Sequence, residues 1–74
     1  MTEAELKFTL ETVGRFDFIH DGIEYTILLD TDEKGKQQIR FSRSFQETRF
    51  SSWGELMNLA KVENHYFKYV LREL

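Results

Sequence analysis

Apolar and polar residues alternate through much of positions 15–45, the pattern of strands that bury one face. Phe16 and Phe18 alternate with Arg15 and Asp17, and Ile23, Tyr25, Ile27 and Leu29 follow at the same period. Asp21-Gly22 stands between the two runs. It is a strong two-residue hairpin signal, because both turn positions must accept positive φ. That turn pairs His20 with Ile23, Phe18 with Tyr25 and Phe16 with Ile27. A second turn lies in Asp32-Glu33-Lys34-Gly35-Lys36. With Gly35 left-handed it pairs Asp32 with Lys36, then Leu29 with Ile39, Ile27 with Phe41, Tyr25 with Arg43 and Ile23 with Phe45. The two turns agree on one register, and a one-residue slip in either would turn the apolar side chains outward. The expectation is a three-stranded antiparallel meander. Its inner face is Phe16, Phe18, Ile23, Tyr25, Ile27, Leu29, Ile39, Phe41 and Phe45. Its outer face is polar apart from Ile19 and Leu28.

The flanks read as helices. Thr2 stands three residues before Glu5, a capping-box spacing. Leu6, Leu10 and Val13 then recur at helical spacing, and Gly14 can end the helix in a left-handed conformation. Alternation of Leu6, Phe8 and Leu10 allows a strand instead; a helix over 2–13 is preferred. Residues 46–51 read as a connection. Ser52 and Glu55 form a second capping box, followed by Trp53, Leu56, Met57 and Ala60. Phe67, Val70, Leu71 and Leu74 resume the spacing. One helix over 53–74 would turn Glu63 and Asn64 toward the apolar side, where unpartnered polar groups are costly. A break near Val62-Glu63-Asn64 is therefore expected, with Asn64 capping a helix over 65–73; a kinked single helix is the alternative. The fold class is α+β, in the order α-β-β-β-α-α, as one domain over 1–74.

Composition narrows the function. Seventy-four residues with eleven aromatics (15%) and no cysteine suit a small packed domain with neither disulfides nor a cysteine zinc site. The longest apolar run, Ile27-Leu28-Leu29, excludes a membrane-spanning helix. The start, Met1-Thr2-Glu3-Ala4-Glu5, lacks the features of a signal peptide, so a cytoplasmic location is expected. The net charge is −3, unevenly placed: residues 1–33 sum to −7 and residues 34–54 to +4. Cross-strand charge pairing on a solvated face is the expected reading of that basic stretch. The order α-β-β-β-α resembles that of the double-stranded-RNA-binding domain. The segment Ser51-Ser52-Trp53-Gly54-Glu55-Leu56 has no lysines where that family places them against phosphates, so the resemblance implies topology alone.

No catalytic constellation emerges. Asp30-Thr31-Asp32-Glu33-Lys34-Gly35 begins like a calcium loop, but Lys34 and Phe41 fall where ligand oxygens belong. His20 and His65 form no His-x3-His pair. The serines lack a nucleophile-elbow context. No enzyme activity, cofactor or metal is expected. The aromatic stretch His65-Tyr66-Phe67-Lys68-Tyr69 reads as core plus rim rather than as a base-stacking platform. The leading expectation is a small non-enzymatic protein-interaction module, a regulator or accessory subunit of phage or mobile-element type. Ile19, Leu28 and Tyr69 are its candidate contact residues, with self-association through the third strand's edge as one form. The alternative is nucleic-acid binding through Lys36, Arg40, Arg43 and Arg49.

Overall fold

A computed structural model describes all residues, 1–74. Eleven residues, Glu3–Val13, form helix α1. The Thr2 hydroxyl accepts from the Glu5 backbone N–H at 3.1 Å, and the Glu5 carboxylate accepts from the Thr2 N–H at 3.0 Å. The capping box read from the sequence is thus closed on both sides, satisfying donors that a helix start leaves without partners. Leu6 and Leu10 are the buried residues of α1, and Phe8 points to solvent. Gly14 adopts φ 86° and turns the chain into the sheet. Its carbonyl accepts from the Leu29 N–H at 3.0 Å.

Four strands follow: β1 (Arg15–His20), β2 (Ile23–Thr31), β3 (Gln37–Arg43) and β4 (Gln46–Phe50). They form one antiparallel sheet in the order β1-β2-β3-β4. The expected pairings His20–Ile23, Phe18–Tyr25, Phe16–Ile27, Leu29–Ile39, Ile27–Phe41 and Tyr25–Arg43 are all present. Asp21 and Gly22 both have positive φ, and Gly35 is left-handed at 81°.

Beyond Arg43 the expected meander is incomplete. Strand β3 ends there, and Ser44 and Phe45 form a two-residue turn, with Ser44 at φ 51°. Phe45 is therefore not an inner-face residue opposite Ile23. It is fully exposed, at 105% of the reference area. Residues 46–50 are not a connection but the fourth strand, pairing Ile39 with Phe50 and Arg40 with Arg49. The edge of β3 is consequently covered, and self-pairing along it is not open to this fold. Residue composition hid β4: four of its five side chains are exposed and only Phe50 is buried. The fourth strand also departs from the strand order of the RNA-binding domain.

The C-terminal third packs against the inner face. Helix α2 (Trp53–Leu59) is capped by the Ser52 hydroxyl, which accepts from the Glu55 N–H at 3.1 Å. The break falls where expected, but it is a hairpin: β5 (Lys61–Val62) pairs with β6 (His65–Tyr66) around Glu63, whose φ is 58°. Asn64 does not cap the last helix. Helix α3 spans Phe67–Leu71 rather than 65–73, with Tyr66 at the cap position and no side-chain cap. The Phe67 N–H donates to the Ala60 carbonyl at 2.8 Å, closing the base of this small hairpin.

Fifteen residues are buried, all of them hydrophobic. Phe18, Tyr25, Phe41 and Phe67 form the aromatic centre: Phe18 stacks on Tyr25 at 5.0 Å, and Phe67 lies 5.6 Å from Phe18 and 5.4 Å from Phe41. Such pairs add attraction beyond area burial, about 0.5–1.5 kcal/mol each. Met1, Thr2 and Glu3 lie in a shallow groove together with Gly54, Met57 and Asn58 of α2 and Lys68, Leu71 and Arg72 near the end of the chain.

Candidate functional surface

On the outer face, side chains stand in rows that cross the strands, because alternate residues of each strand point the same way. Arg15, Leu28, Arg40 and Arg49 make one row, and Asp17, Thr26, Ser42 and Glu47 the next. The rows neutralise each other. Arg15 Nε donates to Asp17 at 2.8 Å, and the Thr26 hydroxyl donates to the same carboxylate at 2.6 Å. Arg40 donates to Glu47 through Nε and approaches Asp30 at 3.5 Å. Arg49 lies 3.7 Å from Glu47. Arg15, and to a lesser degree Thr26, hold the Asp17 carboxyl below its ordinary pKa, and Arg40 does the same for Glu47. The charge pairing expected from the sequence is thus a row-to-row network.

This arrangement separates the four basic residues of the nucleic-acid reading. Arg40 and Arg49 are neighbours but both share Glu47. Arg43 is on the inner face, 5.9 Å from the centre of the Tyr25 ring. Lys36 belongs to the turn at the other end of the sheet, where its N–H donates to Asp32 Oδ1 at 2.9 Å. The same Asp32 oxygen accepts from the Lys34 N–H at 2.9 Å. The segment that begins like a calcium loop thus aims this carboxylate oxygen at its own turn.

The three candidate contact residues are also apart. Leu28 is half-buried between Arg15 and Arg40 in their row. Ile19 is 67% exposed and stands opposite Glu24, with the hydrogen-bonded Asp17–Thr26 pair between it and Leu28. Tyr69 projects from α3, half exposed, with Lys68 and Arg72 each 5.3 Å from its ring centre.

What the fold does gather is one end of the molecule. The Asp21-Gly22 and Ser44-Phe45 turns lie at the same end of the sheet, bordering a polar groove lined by Gly22, Ile23, Glu24, Thr26, Ser42 and Ser44. The turn of the β5–β6 hairpin meets them, with Glu63 reaching Asp21 and His20. Beside it a cleft is lined by His20, His65, Tyr69, Val70 and Glu73. Ile19, Phe45 and Tyr69 are the large exposed apolar side chains of this end. Residue spacing did not reveal the gathering, because it depends on the β5–β6 hairpin and on the fourth strand.

No protein-family model matches the chain, and no curated protein and no solved structure matches it. No helix is long and apolar enough to cross a membrane.

Proposed function

We propose that this domain is a non-enzymatic protein-interaction module that engages its partner through the turn end of the sheet, with Phe45 as the anchor. The observation that carries this reading is the complete exposure of Phe45 on a two-residue turn. An aromatic ring held in water by a short hairpin makes no contribution to the core. Rigid aromatic side chains seated in a partner's pocket are the usual energetic centres of protein interfaces. Ile19 on β1 and Tyr69 on α3 are further exposed apolar side chains, and the groove by Ser44 supplies polar rim groups. Leu28 has less part in this surface, because the Asp17–Thr26 pair separates it from Ile19.

The alternative reading, nucleic-acid binding through Lys36, Arg40, Arg43 and Arg49, draws less support. Its four cations are spread over two faces and one turn, and two of them share a carboxylate. Phosphate attraction falls when acids surround the bases.

The test is retention of host proteins by the tagged domain after nuclease treatment, for wild type, Phe45→Ala and Lys36→Ala/Arg49→Ala. The interaction reading expects one retained protein whose capture falls at least about tenfold on Phe45→Ala, since a central anchor contributes about 2 kcal/mol or more. Equal capture by Phe45→Ala rejects the anchor. Retention that vanishes with nuclease and with the two basic substitutions replaces the reading with the alternative.

A further inference from the structure

His20 and Asp21 close the first strand, and Glu63 heads the small C-terminal hairpin. One ligand atom from each, an imidazole nitrogen and two carboxylate oxygens, lie within 4.8 Å of one another. His20 Nε2 is 3.7 Å from Asp21 Oδ2. No lysine or arginine is paired with Asp21 or Glu63 anywhere in the molecule. Two carboxylates drawn together without a lysine or arginine partner repel each other, and a divalent cation between them reverses the sign of that interaction. A tetrahedral ion with ligands at about 2.0–2.1 Å holds them roughly 3.4 Å apart. The observed spacing thus closes around an ion by small side-chain rotations. Both carboxylates are exposed and free to make them.

We infer that His20, Asp21 and Glu63 form a binding site for a divalent first-row transition metal of the zinc type. The imidazole donor sets the class, because magnesium and calcium are held by oxygen ligands whereas imidazole suits zinc. Water completes the coordination sphere. The site draws its donors from two hairpins far apart in the chain, which explains why local spacing such as His-x3-His gives no sign of it. A bound ion ties the β1–β2 turn to the β5–β6 turn, and so ties the sheet to the C-terminal segment. Metal staples of this sort are a common supplement to the small cores of short domains. His65 lines the cleft beside His20 but is not one of the three donors.

The test is calorimetric titration of the chelator-treated full chain with zinc chloride, paired with thermal denaturation with and without the ion. One zinc per chain is expected, with a rise in Tm that follows the zinc concentration, because an ion that binds only the folded state stabilises it. His20→Ala and Glu63→Gln should each weaken binding by about tenfold or more, and His65→Ala by less than about threefold. Glu63 is exposed, so Glu63→Gln keeps the fold, and circular dichroism checks this. Absence of stoichiometric binding overturns the site. So does wild-type affinity in both the His20 and Glu63 variants. Loss on His65→Ala with no change on Glu63→Gln overturns the donor set, and an equal Tm rise with magnesium overturns the metal class.

Discussion

At the scale of single residues, Tyr25 is the most exacting position. It is 1% exposed, stacked on Phe18, and its hydroxyl has no hydrogen-bond partner. A buried hydroxyl without a partner carries its full desolvation cost. Tyr25→Phe keeps the ring contacts and removes that cost, so it should raise stability by about 1 kcal/mol; urea denaturation measures it. A drop of similar size would mean that the hydroxyl is bonded after all. The acidic residues of the surface make a second prediction. Thr2 holds Glu5, Ser51 holds Glu55, Arg15 and Thr26 hold Asp17, and Arg40 holds Glu47, each below its ordinary pKa. In acid the unfolded chain therefore binds more protons than the folded one. The stability these four groups contribute is complete above the ordinary carboxylate range and is lost as pH falls through their lowered folded values. Tm should fall as pH drops below about 4, modestly because the four groups are exposed. Asp17→Asn together with Glu47→Gln should flatten that slope.

At the scale of elements, two phenylalanines five residues apart test the reading of β4. Phe50 is 6% exposed and joins β4 to the core, whereas Phe45 is wholly in water. Phe50→Ala should cost about 3–5 kcal/mol, and Phe45→Ala almost nothing, by chemical denaturation. Equal effects would contradict the turn at Ser44-Phe45. Ser52→Ala removes the hydroxyl that accepts from Glu55 and should cost about 1 kcal/mol. The same elements show what the amino-acid order declares. The first three strands were legible because Asp21-Gly22 and Gly35 mark their turns and because Phe, Ile and Tyr alternate on one side. Thr2 and Glu5 likewise marked α1. Strand β4 was not legible: Gln46, Glu47, Thr48 and Arg49 carry no apolar alternation, and Ser44 is an uncommon residue for positive φ. The β5–β6 hairpin was hidden for a different reason. It is two residues long on each side, and Val62 is its only buried side chain. At the candidate surface, the outer-face charge pairing was readable from alternation. The meeting of His20 and Glu63 was not, because it follows from how the last hairpin packs against the first.

At the scale of the whole molecule, the core has one centre and two layers. Every strand pairs with its neighbour in sequence, and the helices supply the cover over Phe18, Tyr25 and Phe41. Both outer strands of the sheet are short and carry charge, Arg15 and Asp17 on one side and Glu47 and Arg49 on the other. Such edges resist pairing with a second copy. The groove in which Met1, Thr2 and Glu3 lie beside Leu71 and Arg72 has a different consequence. Residues near the two ends of the fold line one groove. A short glycine-serine bridge can therefore join them into a ring, and new ends can be opened in the exposed Glu33-Lys34 stretch. The same closeness suits the domain to life as a guest: spliced into a surface loop of a host protein, it would enter and leave through one doorway and keep its interior unchanged.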